Sequence, residues 1–136
     1  MSLLLALFVV VHGGIHIGYV CSRSWPFEAI DPWLVTALGV APDSVRDAGI
    51  ALVLVTFFAF LLAAPTAIGA LPSRLWAPLI TVGSVASAIV LVLFITPSTV
   101  PGLAIDAVLL WAVLARKWRP TPVFGRQARA GRPVTS

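Results

Sequence analysis

Val11-His12-Gly13-Gly14-Ile15-His16-Ile17-Gly18-Tyr19 lies inside an apolar run from Leu3 to Val20 and carries both histidines of the chain. Roughly twenty apolar residues in helical form cross the hydrocarbon core of a bilayer. His12 and His16 stand i, i+4, so they share one helix face. Gly14 and Gly18 share another, roughly 160° away at about 100° per residue. One face presents ring nitrogens and the other admits a neighbouring backbone. The glycine pair is expected to pack against another helix of the same bundle rather than to make a dimer contact.

Outward from this run, composition points the same way. The chain has 136 residues, 60% of them hydrophobic and 10% charged, with a mean hydropathy of +1.04. Soluble domains carry roughly a quarter charged residues, so lipid is the expected solvent. The net charge of +4 does not read as a nucleic-acid surface, because of where the charges sit. Six basic residues (Arg116, Lys117, Arg119, Arg126, Arg129, Arg132) follow the last apolar run, and Glu28, Asp31, Asp43 and Asp47 lie between the first two. That asymmetry encodes topology through the bias of Lys and Arg toward the cytoplasm. Cys21 is the only cysteine, which excludes an internal disulfide. A start without a basic n-region and histidines within the apolar run argue for a retained helix rather than a cleaved signal.

The expected fold is all-α: an integral membrane four-helix transmembrane bundle, residues 1–118, with spans near 2–20, 45–64, 75–95 and 99–118. A short interfacial helix sits in the first outer loop. There Asp31 fits an N-cap, Pro32 the first helical position and Gly39 the stop, with Trp25 and Trp33 at headgroup depth. Ser44 and Asp47 resemble a capping box opening the second span, and Pro65 is expected to kink or end it. Gly83, Ser84, Ser87 and Ala88 form a small-residue stripe suited to close packing in lipid. Trp76 and Trp118 read as interface anchors, and Trp111 as core or lipid-facing. Residues 119–136 form a basic tail, expected to be disordered. Four spans and this tail place both termini in the cytoplasm, with Arg74 on the same side.

Rise along the helices puts His16 roughly 6–8 Å, His12 roughly 12–14 Å and Asp106 about 10 Å below the outer face. If the first and last spans are neighbours, the three residues form one polar cluster in the outer half of the bilayer, and Tyr19 is within reach of it. A lone carboxylate at that depth costs at least about 2.5 kcal/mol, so Asp106 needs a partner, a proton or water. Four uses fit such a trio: an interhelical hydrogen-bond knot, a site for a lipid head or quinone-like ring, a two-histidine, one-carboxylate metal site, or a proton relay. One helix cannot place both histidines across a haem. No Walker A, CxxC, HExxH or GxSxG motif is present, and no cofactor is specified. Expected partners are the bilayer, a lipid or quinone-like ligand, and a membrane protein or second copy; nucleic acid is not among them.

With four short spans, Gly13, Gly14 and Gly18 in the first, a longer first outer loop and a basic C-terminus, the chain resembles the DoxX-like and other small four-helix bacterial membrane proteins. Members of that group have been associated with membrane redox or sulfur metabolism. The resemblance implies an accessory or ligand-binding role in a bacterial inner membrane and transfers no catalytic residue. The small drug exporters also have four short helices, but they rely on a glutamate in the first, where this chain has its histidine pair. The remaining alternatives are a membrane enzyme or metalloprotein using His12, His16 and Asp106, or a purely structural subunit.

Overall fold

The structure, a computed structural model, describes residues 2–21 and 33–121, without the side chains of Tyr19, Val20, Cys21 and Leu34. Every regular element among them is helical: α1 (Ser2–Cys21), α2 (Trp33–Leu38), α3 (Pro42–Ile68), α4 (Trp76–Leu93) and α5 (Val100–Leu110). A 3₁₀ turn, Ser73–Leu75, leads into α4, and a π turn, Trp111–Ala115, continues α5. Asp31, Pro32, Trp25 and the tail beyond Thr121 fall outside the described residues.

Two helical segments, Pro42–Ile68 and Ser73–Leu93, are long and apolar enough to cross a membrane; Ser2–Gly18 and Val100–Ala115 are apolar but shorter. α1 packs on α3, α3 on α4, and α4 on α5. α5 returns to α1 through side chains, with Leu109 and Val113 joining Ala6 and Val9 in one apolar cluster. The Ser2 hydroxyl donates to the Thr121 carbonyl at 2.5 Å, so the two ends of the described chain meet at one pole.

Several boundaries differ from the sequence reading, each for a local reason. α3 opens at Pro42 with Ala41 before it and no side-chain cap, so the Ser44/Asp47 box is not formed. Proline's fixed φ and missing N–H suit the first helical position, where no intrahelical acceptor exists. Pro65 neither ends nor breaks α3; the helix continues to Ile68. Gly69 stops it at φ 90°, and the N–H groups of Ala70 and Leu71 close on the Pro65 carbonyl, a left-handed cap that glycine adopts without Cβ strain. Gly39, at φ 65°, ends α2 as its position suggested.

Two apolar clusters lie at opposite poles. One gathers Ala6, Val9, Phe60, Ala63, Ala67, Trp76, Ile80, Leu109 and Val113; the other gathers Val45, Val53, Val90 and Phe94. Trp76 is fully buried in the first and meets Trp118 edge to face at 5.9 Å. It is therefore a core residue and not the rim anchor expected. Trp111 is exposed.

The glycine expectation is also corrected. A Cβ on Gly14 or Gly18 would meet nothing within 4 Å among the described residues, whereas one on Gly13 would stand 2.9 Å from the Phe60 Cβ. Gly83 faces the same ring from α4, where a Cβ would stand 3.1 Å from it. The close approach is thus made by Gly13, whose direction along the helix is nearer to that of the histidines.

Candidate functional site

Between the two apolar clusters lies a polar layer to which three helices contribute. α1 directs His12 and His16 inward because Leu3, Leu4, Leu7, Val11 and Ile15 occupy its opposite, exposed face. Apolar residues outside and ionisable ones inside reverse the usual arrangement of a water-soluble helix. α5 supplies Asp106 and α4 supplies Ser87, both with 0% exposure; His12 is 5% and His16 2% exposed.

These four side chains form one hydrogen-bonded chain. His12 Nε2 lies 3.0 Å from Asp106 Oδ1. The Ser87 hydroxyl donates to Asp106 Oδ2, and its oxygen lies 2.9 Å from His16 Nε2. A hydroxyl has one proton to give, and a carboxylate only accepts. The polarity then runs one way: His16 Nε2–H donates to Ser87, Ser87 to Asp106, and His12 Nε2–H to the other carboxylate oxygen. That assignment follows from satisfying the network rather than from visible hydrogens.

Aromatic rings enclose the chain. Phe8 stacks almost parallel on His12, with centroids 6.1 Å apart and planes inclined by 6°. Phe60 meets His12 at 5.2 Å, and the two imidazoles stand edge to face at 5.5 Å. Phe60 fits there because Gly13 and Gly83 leave room for it. Thr56, one turn before Phe60, and Ser84, beside Gly83, are fully buried and have hydroxyls without a hydrogen-bond partner among the described residues.

The structure therefore brings together His12, His16 and Asp106. The side chain of Tyr19, the fourth candidate, lies outside the described residues. His16 reaches the carboxylate through Ser87, which sequence reasoning assigned to the packing stripe. Among the described residues, no group of three or more His, Cys, Asp or Glu side chains is disposed to hold a metal ion. Both histidine Nε2 atoms face polar partners within the network.

Beside the network, an apolar cleft of about 250 Å³ lies on the α1–α5 seam, lined by Phe8, Ala104, Ile105, Val108 and Leu109. Phe8 separates it from the His12 ring. No protein-family model, curated protein or solved structure matches the chain.

Proposed function

We propose that this chain is a four-span integral membrane protein with both termini in the cytoplasm, and that it serves as an accessory or ligand-binding protein for a lipid- or quinone-like molecule at the α1–α5 seam. The observation that carries the ligand reading is the cleft at Phe8: an apolar recess on the outer surface, one aromatic ring away from a buried His–Asp pair. A planar ligand head entering from the acyl chains stacks on Phe8. Where Phe8 swings aside, a ligand hydroxyl donates to His12 Nδ1, the ring nitrogen left as an acceptor once Nε2–H is given to Asp106. The DoxX-like resemblance is compatible with this role.

The test is thermal unfolding of the purified protein against short-chain quinones and phospholipids. A ligand present at a hundredfold its Kd adds about 2.7 kcal/mol, a readily seen rise in Tm. Ala104→Trp, which fills the cleft, should remove that rise while leaving the unliganded Tm within a few degrees. A flat response across the panel overturns the ligand reading.

A second reading rests on the burial of the network itself. All four of its side chains are at most 5% exposed and bonded to one another, the arrangement of a brace that fixes helix register. Under that reading the protein is a structural subunit, and no ligand raises its Tm.

A further inference from the structure

We infer that the pole where the two ends of the described chain meet carries a binding site for one anionic phospholipid, its phosphate at Arg116 and an acyl chain between Trp111 and Trp118. The site shares Val108 and Leu109 with the seam cleft but none of its residues with the histidine network, and the inference rests on the membrane reading above.

The site is made by the way α5 ends. After Leu110 the helix widens into the π turn, with the Arg116 N–H reaching back to the Trp111 carbonyl at 3.2 Å. Lys117 then takes φ 49°, and the Trp118 N–H bonds the Ala112 carbonyl at 3.0 Å. A left-handed residue followed by an N–H that bonds back to a helix carbonyl is a common way for a helix to end. Here the turn and the reversal set Trp118 alongside α5, where its ring also abuts the buried Trp76.

Between them lies a groove of about 430 Å³, lined by Val108, Leu109, Trp111, Ala112, Arg116 and Trp118. Its lining is apolar except at Arg116. The Arg116 guanidinium carbon sits 5.5 Å over the Trp111 ring, a cation–π contact that holds the charge at the groove's mouth. Lys117 and Arg119 follow, both exposed. The described acidic residues are elsewhere: Asp43 and Asp47 in the first turns of α3, and Asp106 in the buried layer. The local charge is therefore of one sign. An occupant must combine an anionic head with a long apolar tail; free phosphate would leave the groove empty, and a zwitterionic lipid would bring a second cation to a cationic rim. Trp and Arg at the lipid–water boundary match the depth of a phosphate group.

Native mass spectrometry of the detergent-purified full chain, with phosphatidylglycerol or phosphatidylcholine of matched acyl chains, tests this. One retained phosphatidylglycerol per protein is expected, in preference to phosphatidylcholine. Arg116→Ala should reduce the preference about fivefold, the worth of one basic side chain at a membrane surface. Ala112→Phe, which fills the groove and leaves charge alone, should abolish tight retention. Arg74→Ala, a neutralisation outside the groove, should leave the preference intact. Equal retention of both lipids, an Arg74→Ala loss as large as that of Arg116→Ala, or a second copy of the chain in place of lipid overturns the inference. Vesicle flotation of the same preparations separates the two readings. Protein that floats yet retains both lipids equally refutes only the lipid site, whereas protein left in the aqueous fraction refutes the membrane reading as well.

Discussion

Phe60 shows how single residues set this interior. Its ring fills the space that Gly13 on α1 and Gly83 on α4 leave open, and it closes one side of His12. Gly13→Ala would put a methyl 2.9 Å from the Phe60 Cβ, an atom close to the α3 backbone that cannot swing away. Overpacking of this kind costs about 1–3 kcal/mol. Gly14→Ala meets open space and gains helix propensity of up to about 1 kcal/mol. Melting of the two variants should therefore move in opposite directions, although the residues are adjacent. A second contrast concerns the serines of α4. Ser87→Ala strips a partner from both Asp106 and His16 and should destabilise by about 1–3 kcal/mol. Ser84→Ala removes a buried hydroxyl that has no partner among the described residues and should be neutral or stabilising by the same denaturation measurement. The ionisable members of the network were legible in sequence because they are rare in an apolar chain and therefore need company. Ser87 was not, because a serine in a small-residue stripe looks the same whether it packs or bridges; only the position of Asp106 across the helix pair distinguishes the two roles.

At the scale of elements, helix ends carry the information. The four last carbonyls of a helix lack intrahelical partners. In α4 one of them, that of Val92, accepts from the Trp33 indole at 2.9 Å. This bond ties the short α2 to the end of α4, and Gly39 then releases the chain toward α3. Trp33→Phe keeps the ring and removes only the donor. Hydrogen exchange should quicken in α2 while the amides of α3 and α4 keep their protection; unchanged exchange in α2 would show that the indole bond does not hold it. The helix limits legible in sequence were those fixed by a residue suited to a left-handed stop, such as Gly39 after α2. Pro65 does not end α3 because a proline near a helix C-terminus forfeits one hydrogen bond without forcing a stop, and the left-handed Gly69 four residues on is the stronger terminator. The seam between α1 and α5 entered the sequence reading only as a condition for the polar cluster, and its cleft was not legible. It depends on which helices are neighbours, and apolar faces of similar composition do not encode their order.

The whole molecule is sorted by polarity in a way that water does not favour. Leu3 and Leu4 are 69% and 71% exposed while Asp106 is fully buried. The exposed charges Asp43, Arg46 and Asp47 gather at the start of α3, and Arg74, Arg116, Lys117 and Arg119 lie in the segments that join or follow helices at the opposite pole. The hydropathy pattern alone supplied this expectation, and the two long apolar segments agree with it; labelling from either side tests both the crossing and its direction. α3 is the only helix between Asp43 and Arg74 long enough to cross, so those positions decide it. In a Cys21→Ser background, Asp43→Cys should react with an impermeant maleimide on intact cells, whereas Arg74→Cys and Arg119→Cys should react only after permeabilisation. Phe58→Lys, on the exposed face of α3, reports on the solvent independently. In hydrocarbon it costs about 2.5–3.5 kcal/mol, and in water a surface change of this kind stays within about 0.5 kcal/mol. Labelling of positions 43 and 74 from the same side would mean that α3 does not cross, and a harmless Phe58→Lys would mean that its outer face is wet; either result removes the membrane reading, and with it the reason for an apolar ligand to reach the seam laterally.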